Sequence, residues 1–247
     1  MSKLPNAPLQ EAIFELKWQL QPDETGTQLI DPEFQFALGK FEHVLQMAFP
    51  HRVPKLPRQL PLHLLNYQAV YQFWKAKNTW PVVQLGPGIL TVNDTEQNYE
   101  WANTYLPNIE KALDAIDKSY GVLSINSLSL RYIDVVRVAD YGFTTWQEFV
   151  RKHLNFEFNN HFDTRGELAQ FHIEQSFRLK DSGMLNLTFN SALNDRNEDV
   201  FIWQTAVSKQ AEFKMADVKD WLTNAHDCTS QVFKDICKKE FYASFAK

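Results

Sequence analysis

The stretch from Leu123 to Val138 reads LSINSLSLRYIDVVRV and constrains the fold more than any other part of the chain. Its apolar residues recur mostly at alternate positions, the period of a strand with one buried face. It follows a long helical segment, and the order of elements after it echoes the order after Ala12. The chain therefore reads as beginning twice. Residues 1–121 and 122–247 each predict a strand, a helix, several antiparallel strands and a long helix. The expected fold is α+β, with two similar halves sharing one mostly antiparallel sheet layer packed by two long helices. Duplication explains the echo; coincidence of a common element order explains it too.

The first half opens with Ala12, Phe14, Leu16, Trp18 and Leu20 on one strand face. Asp31-Pro32 predicts a helix start, with Asp31 as N-cap and Pro32 in the first helical position. PHRVPKLPRQLP follows, with Pro50, Pro54, Pro57 and Pro61. Prolines at that spacing exclude helix and inner strand, so residues 50–66 should form an extended arm. Strands at Ala69–Lys75 and Trp80–Leu85 lead through Gly86-Pro87-Gly88 to Ile89–Asn93, and a helix is expected from Gln97 to Tyr120. In the second half Thr145-Trp-Gln-Glu148 is a capping-box pattern. Strands are expected over 169–179, 184–189 and 200–207, and a final helix from Met215.

Charge sets limits on function. A formal charge of −5 disfavours general nucleic-acid binding, which rests on cations neutralising phosphates. Between His43 and Asn93 there is no Asp or Glu, while Arg52, Lys55, Arg58, Lys75 and Lys77 are present. A basic surface on an acidic protein is the expectation. Tyr67, Tyr71, Trp74 and Trp80 interleave with it, a combination suited to an anionic ligand or an acidic partner. Arg52, Lys55, Arg58, Trp74 and Trp80 are the candidate binding residues; the alternative is a connection that covers the sheet edge with its aromatics in the core.

Catalytic signatures are missing from the sequence: no GxGxxG, P-loop, HExxH, GxSxG or paired CxxC occurs. No cofactor and no metal site is expected. Asp195, Asn197 and Asp199 imitate the start of a calcium loop, but Val200 stands where glycine is needed. His161 and Asp163, near Glu157 and Glu167, make a local polar cluster short of a ligand set. Arg131, Asp134 and His226 are the remaining catalytic candidates. Asp134 interrupts the apolar alternation, and either Arg131 or Arg137 pairs with it to fix the strand or the group forms a site. His226 and Asp227 point about 100° apart on a helix, so they cannot pair with each other, and a histidine anchoring the helix is the plainer reading. Cys228 and Cys237 stand on opposite faces of the final helix, too far apart for a disulfide. MSKLPNAPLQ lacks a signal-peptide pattern and no apolar run approaches a membrane span, so a cytoplasmic protein is expected.

Several patches resemble a sporadically distributed, functionally uncharacterised bacterial family. They are Pro8–Leu16 (PLQEAIFEL), Gln84-x-Gly86-Pro87 with Leu90, Val92 and Asn93, Tyr99-x-Trp101, Leu130-Arg131-Tyr132-Ile133-Asp134, and Ala225-His226-Asp227 followed by Phe233. Asp134 replaces the Asn of that pattern. The resemblance spans nearly the whole chain, supplies no activity, and implies an occurrence like that of genes on mobile or defence-associated islands. The expectation is thus a non-enzymatic binding module for a partner protein or a small anionic ligand. The alternatives are a nucleotide-directed hydrolase or nuclease using Arg131, Asp134 and His226, and a small-molecule sensor with a cavity between the halves.

Overall fold

The computed structural model describes residues 4–56, 61–95, 99–158, 161–166, 168–180 and 183–246. In chain order the elements are β1 (Leu9–Trp18), β2 (Gln21–Pro22), β3 (Leu29–Ile30), α1 (Phe34–Leu45), β4 (His51–Pro54), a 3-10 turn at Leu62–Leu65, β5 (Tyr71–Trp74), β6 (Val82–Gly86) and β7 (Ile89–Thr95). A π turn at Trp101–Tyr105 leads into α2 (Leu106–Ser119), followed by β8 (Ile125–Arg137), a 3-10 turn at Val138–Tyr141 and α3 (Trp146–His153). The chain continues through β9 (His172–Leu179), β10 (Gly183–Leu193), β11 (Asp199–Phe213), α4 (Met215–Ile236) and α5 (Lys239–Ser244). β2 and β3 pair with each other; the remaining strands form a nine-stranded sheet in the order β4-β5-β6-β7-β1-β8-β11-β10-β9. The fold is α+β with a large antiparallel sheet.

The chain divides into two compact units that interleave in sequence: Met1–Glu11, Arg131–Val207 and Asn224–Lys247 in one, Ala12–Leu130 and Ser208–Thr223 in the other. In the unit built on Ala12–Leu130, the buried row Ala12, Phe14, Leu16 and Trp18 follows the period of two expected for β1. Phe41 of α1 meets Phe73 of β5 edge-on at 5.2 Å. β6 is buried on both faces and β7 nearly so, with polar Gln84, Thr91, Asn93 and Asp94 buried among their apolar residues. Tyr105 donates its hydroxyl to the Val92 carbonyl at 2.8 Å. A Cβ at Gly86 would lie 1.8 Å from the Gln68 carbonyl oxygen; only glycine admits that crossing of segment and strand.

Two helix starts differ from expectation. Asp31 does not cap α1, whose N-cap is Glu33 with no side-chain bond. Its carboxylate instead accepts from Trp18 Nε1 (3.1 Å), the Gly88 N–H (3.3 Å) and the Tyr120 hydroxyl (2.9 Å). Three donors from distant elements outweigh one local cap. Burial and that carboxylate hold the Tyr120 phenol well above its ordinary pKa. The second helix becomes α-helical only at Leu106, because Pro107 belongs in a first turn and not in an interior.

The other unit is rich in aromatic contacts. Phe149 of α3 touches Phe201 of β11 and Phe241 of α5, at 6.3 and 5.4 Å, and Trp203 stacks on Phe233 of α4 at 6.3 Å. Thr145 caps α3 as expected, its hydroxyl accepting from the Glu148 N–H at 3.4 Å. The Glu148 carboxylate faces the Thr144 hydroxyl instead of returning to residue 145. Asn194 closes the β10–β11 turn by accepting from the N–H groups of Arg196 and Glu198, so Asp195, Asn197 and Asp199 sit on a hairpin tip. Both cysteines are free.

Candidate functional site

Among the catalytic candidates, Asp134 and His226 lie in the same unit and both are buried. Alternation along β8 puts Tyr132, Asp134 and Val136 on one face and Arg131, Ile133, Val135 and Arg137 on the other. That parity forbids the expected Arg–Asp pair. Arg137 bonds Asp140 and Glu198 instead, and Arg131 is exposed. With Asp134 only 3% exposed, burial is the influence on its carboxyl and pushes its pKa up to about 8.

His226 receives the Tyr132 hydroxyl at its Nδ1 (2.9 Å), while its Nε2 faces Ser230 Oγ at 3.4 Å. Burial lowers its pKa to about 4 despite the opposing Asp227 carboxylate. The ring is neutral at pH 7, and its Nε2–H tautomer meets both contacts. Cys237 is pushed up to about 12, first by burial and then by Asp134. The hydrogen bond between Tyr132 and His226 ties β8 to α4. The helix-anchoring reading of His226 thus has a named partner in Tyr132. In the same unit, Trp203 Nε1 and Thr205 Oγ1 are buried without hydrogen-bond partners.

The exposed candidate is the arm. Residues 51–54 form β4, the last strand of the sheet on its side, antiparallel to β5 with His51 opposite Trp74 and Pro54 opposite Tyr71. All four residues are exposed. An edge position suits Pro54, which has no N–H to give a central ladder. Arg52 bonds Glu42 at 2.5 Å and lies 5.3 Å from the Tyr71 ring centroid, so its charge is partly cancelled. Lys75 sits 5.7 Å over the Phe49 ring, and burial lowers its pKa. Trp74 is buried and meets Trp80 edge-on at 5.3 Å. Arg58 lies outside the described residues.

Lys55 differs from the other cations. Its ammonium donates to Gln84 Oε1 at 3.2 Å, and the same oxygen accepts from Gln72 Nε2 at 3.1 Å. Gln84 Nε2 donates to Thr91 Oγ1 (3.1 Å) and Asn93 Oδ1 (3.0 Å). Both oxygen lone pairs and both N–H bonds of this buried amide are used, which fixes its orientation. Lys55 is therefore an exposed cation held by a rigid neutral acceptor. Gln84, Thr91 and Asn93 were not singled out as site residues from sequence; their polarity inside apolar strands was the available signal.

Among the described residues no His, Cys, Asp and Glu side chains gather in threes around a metal position, and no helix is long and apolar enough to cross a membrane. Asp163 accepts from the Arg165 N–H; Glu167 lies outside the described residues. Comparison with protein-family models, curated proteins and solved structures gives no match in any of the three.

Proposed function

We propose that the protein is a non-enzymatic binding module that recognises an anionic partner, an acidic stretch of another protein or a small anion, through the surface around β4 and Lys55. The observation that carries this reading is the Lys55–Gln84 arrangement. An ammonium fixed by a saturated amide loses little rotamer freedom on binding, and the bond to a neutral acceptor leaves its charge uncompensated. The acid-free stretch from His43 to Asn93 keeps repulsive carboxylates of that segment away from it. Asp134 and His226, buried and neutral at pH 7, favour this reading over hydrolysis, because a general acid–base pair must reach its substrate.

The strand order supports the further proposal that the two halves arose by duplication. Outward from the centre it reads β1, β7, β6, β5, β4 in one direction and β8, β11, β10, β9 in the other. In each, the first strand of the half is innermost and the last strand lies beside it.

The test is fluorescence anisotropy of a labelled polyglutamate peptide and of a labelled polyphosphate, at several salt concentrations. Binding by the wild-type chain that weakens with salt and falls about tenfold or more in Lys55→Glu is the expected result. Equal binding by Lys55→Glu, or none by the wild-type chain to either probe, overturns the reading.

A further inference from the structure

β9 is the other terminal strand of the sheet, and apart from the charges of Glu174 and Arg178 it carries, among the described residues, none of the features that keep sheet edges from pairing. It is eight residues long, HIEQSFRL, without proline or lysine. Its register with β10 runs unbroken from His172↔Asn190 to Leu179↔Gly183, so no bulge twists the edge away. Phe177 is 45% exposed on the face that continues the buried Leu185, Leu187 and Phe189 of β10. On the opposite face, Glu174 and Arg178 stand beside uncharged Thr188 and Met184, and neither makes an ion pair among the described residues.

We propose that β9 pairs antiparallel with β9 of a second copy of this chain, about a two-fold axis through Ser176. In an antiparallel ladder, successive residues turn their backbone groups alternately toward the two neighbouring strands. Identical strands can therefore meet only where residues of like parity face each other. Four such registers keep at least five of the eight residues paired. A centre at Glu174 sets that carboxylate against itself. A centre at Gln175 sets His172 against Arg178 and leaves Glu174 opposite Ser176. A centre at Phe177 sets Phe177 against itself and Ser176 against Arg178, with Glu174 reaching only Lys180 beyond the strand. The centre at Ser176 places Glu174 opposite Arg178 twice, Ile173 opposite Leu179 twice, and Gln175 opposite Phe177 twice. It also brings Phe177 diagonal to Ile173 of the second copy. Opposite charges and apolar ends both pair, which makes the strand complementary to itself in that register.

The strand order points the same way. β9 takes the place in its half that β5 takes in the other, counted outward from β8 and β1. The outer edge of β5 is occupied by β4; among the described residues no strand occupies the outer edge of β9.

Sedimentation velocity of the full chain over a range of concentrations tests the proposal and does not depend on the Lys55 reading. A concentration-dependent dimer is expected. Glu174→Arg and Arg178→Glu should each weaken it about tenfold, since each sets two like-charged pairs face to face. The double variant Glu174→Arg/Arg178→Glu should restore it. Ser176→Cys, which leaves the charges alone, should form a covalent dimer on oxidation, because directly opposed residues lie about 4.5–5.5 Å apart at Cα, within disulfide reach. Gln175→Cys should not, nor should the wild-type chain. A monomer at every concentration overturns the proposal, as does a dimer that ignores both charge reversals and yields no Ser176→Cys cross-link. If the charge variants fail to fold, the cross-link alone decides.

Discussion

β4 and β9 end the same sheet and treat the exposed backbone in opposite ways. β4 is four residues long, ends in Pro54, and carries Arg52 with Lys55 just beyond. Shortness, proline and charge are the ordinary means of blunting an edge, so what β4 presents to a partner is side chains. β9 is twice as long, proline-free and regular, so what it presents is backbone. The proposals for the two edges differ accordingly: a fixed cation on a blunted edge, and a self-complementary strand on the other.

The sharpest way to break this contrast is to loosen what holds β4. Lys55 N–H bonds the Val70 carbonyl at 2.8 Å, and Val70 N–H bonds Leu85 at 2.9 Å. The adjoining Gln68 carbonyl is pressed against Gly86. Gly86→Ala drives a Cβ into that backbone oxygen and should cost about 4 kcal/mol in urea unfolding. Hydrogen exchange should rise most at Lys55 and Val70, with β9 and β10 protected as before. Uniform loosening of both edges would show that the two ends of the sheet are not independent.

A second contrast lies in pH, and it acts from the unit that carries β9. Burial pushes the folded Asp134 carboxyl up to about 8, whereas unfolded it ionises near its ordinary value of 3.8. Between those values the native state holds a proton the unfolded chain has lost, so this group lowers stability as pH rises toward 8. His226 has the opposite sense. Its folded pKa, about 4, lies below the unfolded 6.5, so stability is lost as pH falls through that interval. The two slopes offset between about 4 and 6.5, and above 6.5 only the loss from Asp134 remains. Asp134→Asn, which mimics the protonated acid, should raise stability by a few kcal/mol at pH 8 and by little at pH 4. Exchange at β9 and β10 should quicken from pH 6.5 to 8 after correction for intrinsic rates, while β4 and β5 stay unchanged. A flat difference between variant and wild type across pH would show that Asp134 is ionised in the folded chain.

Local pattern made part of this visible in the sequence. The period of two in Ala12–Trp18 and in β8, the glycine turn at Gly86–Gly88 and the Thr145 cap each depend on neighbours a few residues apart. The clustered prolines 50–61 excluded helix and inner strand for the same reason, but the extended arm expected over 50–66 is replaced by the edge strand β4 at His51–Pro54 and a 3-10 turn at Leu62–Leu65. Asp31 was misread because Asp-Pro before an apolar stripe is a helix start locally, while its actual donors lie 13, 57 and 89 residues away. The Gln84 network needed the register of β5, β6 and β7 before four polar side chains could be seen to converge. Arg131 and Arg137 stood close enough to Asp134 in sequence to suggest pairing, yet strand parity separates them. That β9 ends the sheet is a property of strand order, which no stretch of eight residues encodes.

The smallest effect tests what blunts β4. Arg52→Ala removes the Glu42 pair and the contact with Tyr71, both near the surface, and should cost about 0.5 kcal/mol in urea unfolding. Its value lies in the oligomeric state. Lys55 turns its N–H toward Val70, so alternation leaves Arg52 with its N–H facing outward, and Pro54, the next outward residue, has no N–H at all. One outward donor cannot sustain a ladder even when the guanidinium is gone. Sedimentation of Arg52→Ala should therefore match the wild-type chain at every concentration. New self-association would mean that charge guarded β4, and that its geometry was as open to pairing as that of β9.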